Sequence, residues 1–183
     1  MFGRLFRRAP ESDTIAIGLY GAIVAQARNP DLYAGLGVAD TVDGRFEMVV
    51  LHTVLVLERL QGSDQEKALG QQVFDLYCLD MDRSLREMGV GDFGVPKRMK
   101  AMAERFFGRA ASYRTYLREG DIVSLSDSLA RNVFGSTPVD AGRLAAYALG
   151  SHRRTTATPE AELFRGTVQF ADPADFVPVR GLP

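Results

Sequence analysis

The run Met48-Val-Val-Leu-His-Thr-Val-Leu-Val-Leu57 limits this chain more than any other stretch, because it contains no charged residue and is rich in β-branched side chains. Such a run is compatible with a buried strand or a buried helix, and the length of its surroundings decides between them. The periodic segment opens near Asp40 or Thr41 and continues to about Gln61, where Gly62 is placed to cap it. That is far longer than an ordinary strand. At about 100° per residue, Val42, Phe46, Val49, Val50, Thr53, Leu57 and Leu60 fall on one stripe, and Met48, Leu51 and Leu55 on roughly the opposite side. A helix that is apolar on two faces either lies at the centre of a bundle or carries a partner on its second face. The central position is the expectation.

The rest of the chain reads as helices around that one. Glycine and proline fall between periodic segments and mark their ends. A first helix is predicted from Asp13 to Arg28, stopped by Asn29-Pro30. A third runs from Asp64 to Met88, with Phe74, Tyr77, Met81, Leu85 and Met88 inward. The loop 89–95 ends it, and Pro96 suits the first turn of a fourth helix reaching Glu119. That helix turns Met99, Met102, Ala103, Phe106, Ala110, Tyr113 and Leu117 inward. Shorter helices are expected over 124–134 and 140–149, with Gly135 and Gly150 as stops, and Thr158-Pro159 is another start signal. The fold class is all-α: a single-domain bundle of six to eight helices. It is divided into a basic, flexible N-terminus (1–12), the helical domain (13–170) and an irregular, extended tail (171–183).

Composition removes several function classes. With 183 residues, 46% hydrophobic and 25% charged, the chain supports one ordinary core. A net charge of -1 argues against DNA as a partner. One cysteine, Cys78, excludes an internal disulfide and suggests a reducing compartment, and with only two histidines there is no Cys/His zinc cluster. The longest uncharged run, 14–27, is shorter than the ~20 apolar residues of a membrane helix. The basic, amphipathic start (Phe2, Leu5 and Phe6 among Arg4, Arg7 and Arg8) reads either as a frayed end or as a contact for an anionic membrane surface. A cytoplasmic protein, with peripheral contact at the inner membrane as the alternative, is expected.

Charge is unevenly shared. From Asp64 to Asp82 five acids face one base, whereas from Lys97 to Arg118 seven bases face one acid. Lys97, Lys100, Arg109, Arg114 and Arg118, together with Arg45, are therefore candidate partner-binding residues; ribosomal RNA, anionic headgroups or an acidic protein would each suit them. Phe107 lies off the apolar stripe beside Lys100, Arg114 and Arg118, as a contact aromatic does, although a neighbouring helix could equally cover it. Met81, Met88, Met99 and Met102 straddle the 89–96 loop and suit either an adaptable client groove or core filling.

No set of residues reads as an active site. Asp80 and Asp82 point about 200° apart on a helix, too divergent for one ion, and Asp80, Arg83, Ser84 and Glu87 read as an ion-pair ladder. His52 has no neighbouring nucleophile and reads as a hydrogen-bonded core histidine. No metal or cofactor is expected. A small metal-dependent enzyme using His52, Asp80, Asp82 and Asp92 stays open as the alternative, as does a ribosome- or lipid-surface adaptor built on helix 97–118.

Two blocks carry a resemblance: 38–52 (VADTVDGRFEMVVLH) and 80–100 (DMDRSLREMGVGDFGVPKRMK), the latter continuing through 106–109 (FFGR). They resemble the ubiquinol-cytochrome c chaperone family, assembly factors for the cytochrome b subunit of the bc1 complex, in its short bacterial form. The matching positions are Asp40, Asp43, Gly44, Arg45, His52, Asp80, Asp82, Arg86, Gly89, Gly91, Asp92, Pro96, Lys97 and Gly108. The resemblance implies a helical, non-enzymatic chaperone of newly made cytochrome b. It also implies contact with a small partner subunit or the ribosome, as in mitochondrial members.

Overall fold

A computed structural model describes residues 11–135 and 141–177. The N-terminal reading over residues 1–10 and the last six residues of the tail lie outside that range. Among the described residues there is no strand. The helices are α1 (Glu11–Ala27), α2 (Pro30–Ala34), α3 (Val42–Arg59), α4 (Asp64–Glu87), α5 (Val95–Glu119), α6 (Ile122–Leu129), α7 (Gly142–Ala157) and α8 (Glu160–Leu163). A π turn (Ala130–Phe134) extends α6, and a 3-10 turn (Pro173–Phe176) closes the described tail.

The core is built around α3. Every residue from Met48 to Leu57 is buried, and α1, α4, α5 and α7 all pack on this helix. That is the central position expected of a helix apolar on two faces. Val42, expected on the inward stripe, is instead exposed, because it begins the helix before α3 has entered the bundle. Leu60 rather than Gly62 is the C-cap, its N–H donating to Val56. Local chemistry sets the next start. Ser63 and Glu66 form a capping box, and the Glu66 carboxylate also accepts from Arg59 at 2.6 Å. Burial would lift the Glu66 carboxyl, but the Arg59 and backbone hydrogen bonds outweigh it and hold the group below its ordinary value.

Three further expectations change. The Asn29-Pro30 stop is followed at once by the short α2, whose cap is the Asn29 side chain accepting from Asp31 N–H at 3.0 Å. Met88, placed on the inward stripe of α4, is its exposed C-cap. Gly150 does not stop a helix, since α7 passes through it to Ala157. A Cβ at Gly150 would lie 2.7 Å from Cζ of Phe176, so this glycine is where the tail crosses α7. The tail runs extended from Thr167 to Asp172 before the 3-10 turn. Ser151 holds it, its hydroxyl accepting the Ala171 N–H at 3.2 Å.

Gly44 explains how the chain enters α3. A Cβ there would lie 2.0 Å from the Ala39 carbonyl oxygen, a backbone atom with no flexible side chain to give way. Gly44→Ala is expected to lower stability by about 2 kcal/mol in urea denaturation, by forcing the 38–41 turn off the helix. An unchanged midpoint would show that this turn yields freely.

Candidate functional site

The N-terminal half of α3, the C-terminal half of α4 and the N-terminal half of α5 leave a cleft of about 520 Å³ between them. Its apolar surface comes from Phe46 and Val49 on α3, Met81 and Leu85 on α4, and Met102 on α5. Val42 and Met88 stand at its edge, exposed by 66% and 53%. These exposures matter because both side chains are large and apolar and nothing in the described chain covers them. Arginines rim the cleft: Arg28 from the end of α1, Arg45 from α3, and Arg98 and Arg105 from α5. Asp43 and Asp80 also line it. A neighbouring hollow of about 450 Å³ shares Arg28 and Arg45 and adds Tyr33 and Asp40. There Arg45 Nε donates to Asp40 at 2.6 Å, and its guanidinium lies 5.9 Å from the Tyr33 ring centroid. The hydrogen bond from Arg45 keeps the Asp40 carboxyl below its ordinary value.

Of the four methionines flanking the loop, Met81, Met88 and Met102 line this cleft, while Met99 packs half-buried on the core. The α4–α5 loop is shaped by Gly89 at φ +81° and carries the fully exposed Phe93. Pro96 sits in the first turn of α5, as its fixed φ suits. Arg86 clips the loop to α4, its Nε donating to Asp82 at 2.7 Å while Nη1 donates to Asp92.

The basic helix divides in two. Arg109 reaches inward, Nη2 donating to Glu47 at 2.6 Å, with side chains only 13% and 9% exposed. Arg118 donates to Glu58, and Arg114 Nε lies 3.1 Å from the same carboxylate. These three candidates therefore tie α5 to α3. Lys97 and Lys100, with Arg98 and Arg105, form no ion pair among the described residues. Phe107 is exposed, leaning on Phe74 and Phe106 at centroid distances of 5.5 and 5.7 Å.

The four residues of the enzymatic alternative do not gather in one site; of them only Asp82 and Asp92 share a partner, Arg86. His52 is wholly buried, with Nδ1 2.7 Å from the Met48 carbonyl and Nε2 2.6 Å from the Tyr147 hydroxyl. A carbonyl only accepts, so Nδ1 carries the proton and Nε2 accepts from Tyr147. Tyr147 in turn accepts from Gln26 at 2.9 Å. Gln26 also donates to the Ala171 carbonyl at 3.0 Å, so this chain of bonds links α3, α7, α1 and the tail. Burial lowers the His52 pKa to about 4, keeping the ring neutral. Asp80 faces α1 and accepts from the Tyr20 hydroxyl at 2.8 Å, where an Asp80–Arg83 ladder was expected; Asp82 and Asp92 serve Arg86. Among the described residues no three His, Cys, Asp or Glu side chains converge as metal ligands. Cys78 is half-buried, and burial raises its thiol pKa. No helix among the described residues is long and apolar enough to cross a membrane.

Sequence reasoning missed most of the rim. Arg28, Arg45, Arg98 and Arg105 come from three separate helices, and only the seven-residue spacing of Arg98 and Arg105 marks two of them as sharing a face.

The molecule is an all-α bundle with an apolar, arginine-rimmed cleft and a sealed core histidine. The profile of the ubiquinol-cytochrome C chaperone family matches residues 34–170, and the chain belongs to that family. It is similar to the crystal structure of the Cbp3 homolog from Brucella abortus, at 37% identity and TM-score 0.84, over 96% of this chain and 98% of that one. No curated protein matches the chain.

Proposed function

We propose that this chaperone holds newly made cytochrome b during assembly of the ubiquinol-cytochrome c reductase complex, and that an apolar segment of that client lies in the α3–α4–α5 cleft. The carrying observation is the cleft itself, an apolar trough with exposed edges at Val42 and Met88. Methionine is unbranched and polarisable, so Met81, Met88 and Met102 can repack around helices of different shape. The arginine rim suits a segment whose ends carry carboxylates or lie among phosphates. The reading is non-enzymatic, because His52 is locked neutral and Asp82 and Asp92 are engaged by Arg86. Lys97 and Lys100, exposed on α5 and without an ion pair among the described residues, supply the surface for a small partner subunit, the ribosome or an anionic membrane face.

A photo-crosslinker at Val42 or Met88 is expected to capture cytochrome b in cells. The same probe at Ile17 or Leu79, equally exposed but outside the cleft, is expected not to. Val42→Glu with Met88→Glu should reduce client capture by about tenfold while changing stability by no more than about 1 kcal/mol, since both sites are exposed. Wild-type levels of assembled complex in a strain lacking the protein would end this reading.

A further inference from the structure

A third hollow, of about 310 Å³, lies where α5 meets the end of α6 and the π turn. Its wall is wholly polar apart from one glycine: Arg105, Arg109 and Arg131 with Ser112, Ser128 and Asn132. The two hollows described above each contain an aspartate, and among the described residues this one is lined by no carboxylate. Among the described residues Arg105 and Arg131 form no ion pair; Arg105 adds to the field that Arg109 exerts on Glu47, so three guanidinium groups stand against that one carboxylate. Asn132 gives one amide N–H to the Tyr113 hydroxyl at 3.2 Å and has a second to offer. Arg131 and Asn132 both lie within the π turn, a helical irregularity that recurs at binding sites.

Gly108 is the independent observation. It sits in the middle of α5 and lines the hollow, with ordinary helical backbone. A Cβ built there meets no atom of the described residues within 4 Å. Alanine would make a better helix residue at no steric cost against the described residues, so none of them calls for glycine at this position. A bare backbone beside three guanidinium groups leaves room for a ligand to approach the helix closely.

We propose that this hollow binds a phosphate monoester dianion. Its two negative charges match the excess of three guanidinium groups over the single Glu47 carboxylate, its oxygens suit guanidinium forks, and the polar lining rules against a ligand held by its hydrocarbon. The hollow shares Arg105 with the rim of the client cleft but does not rest on the identity of the client. The phosphate could be free, as in a small soluble ester, or carried on a lipid such as phosphatidic acid.

The test uses the full chain and two variants. Arg131→Ala is chosen because Arg109 also secures Glu47 and Arg105 also rims the cleft. Gly108→Ala is chosen because it should raise the Tm of the unliganded protein. Inorganic phosphate and glycerol 3-phosphate are titrated against chloride at matched ionic strength, followed by thermal unfolding and calorimetry. The expected result is saturable protection by both phosphates and none by chloride. Arg131→Ala should weaken binding about tenfold, and Gly108→Ala should weaken it despite the higher Tm. Cosedimentation with phosphatidylcholine vesicles containing phosphatidic acid, but not phosphatidylserine, would assign the lipid-borne source. Protection by the soluble esters without such vesicle binding would assign the free one. Equal protection by chloride, unchanged affinity in Arg131→Ala or Gly108→Ala, or binding only to a polyanion such as heparin would overturn the proposal.

Discussion

Replacing Arg109 with alanine is expected to destabilise the protein by about 3 kcal/mol or more, although the residue lies on a helix that its sequence marks as a solvated basic face. The reason is Glu47. Its carboxylate is buried on the central helix and accepts from Arg109 at 2.6 Å, while the second oxygen, Oε2, has no hydrogen-bond partner among the described residues. Burial already raises the Glu47 carboxyl above its ordinary value, with Arg109 pulling the other way. Without the guanidinium the site must either hold an unpaired charge or take up a proton, and both oppose folding. Glu47→Leu together with Arg109→Met should recover most of the loss, since buried pairs are often replaceable by apolar groups of similar volume. Urea denaturation of the two single variants and the double variant decides the matter. An Arg109→Ala midpoint equal to wild type would mean the pair contributes nothing.

The second large effect is acid destabilisation through His52. The native ring titrates near pH 4, whereas an unfolded histidine titrates near 6.5. Below pH 6.5 the unfolded chain therefore binds a proton that the native state refuses, and stability falls as pH falls until about 4. Above pH 6.5 the contribution is fully present. Over the whole interval the loss is about 3 kcal/mol, at roughly 1.4 kcal/mol for each pKa unit. The ring packs against Tyr147 and Phe170 and bonds to the Met48 carbonyl, so no neighbouring charge offsets the proton. Unfolding free energies of wild type and His52→Gln, measured from pH 7.5 to 4.5, should converge on acidification by about 2–3 kcal/mol. Parallel curves would show that the imidazole titrates normally.

His52 also shows how far reading the chain alone could go. Its place between two apolar stripes marked it as a core residue with satisfied nitrogens. Its partners, the Met48 carbonyl one turn back and Tyr147 ninety-five positions away, differ in just the way that separates the legible from the illegible. Contacts within one helical turn follow from spacing. Contacts between helices depend on how the helices are laid together.

The same division runs through the cleft. The methionines around the 89–96 loop and the off-stripe Phe107 stood out by position, and so did the blocks shared with the chaperone family. That Arg114 and Arg118 converge on Glu58, sixty and fewer residues away, did not, because a linear charge count records sign and spacing but not the direction a side chain takes from its helix. Gly150 was misread for a related reason: glycine serves equally as a helix terminator and as a crossing point, and only the presence of Phe176 above it distinguishes the two.

Helical periodicity, capping residues and the doubly apolar run at 48–57 were enough to determine the all-α class, the main helices and which of them is central, because those properties arise from interactions within a turn or two. The tertiary structure alone decided which arginines are tied inward and which rim the cleft, how the tail crosses α7, and where three guanidinium groups gather around a bare stretch of α5. Those outcomes depend on the angles and offsets between helices, which are set by side chains interlocking across the whole core.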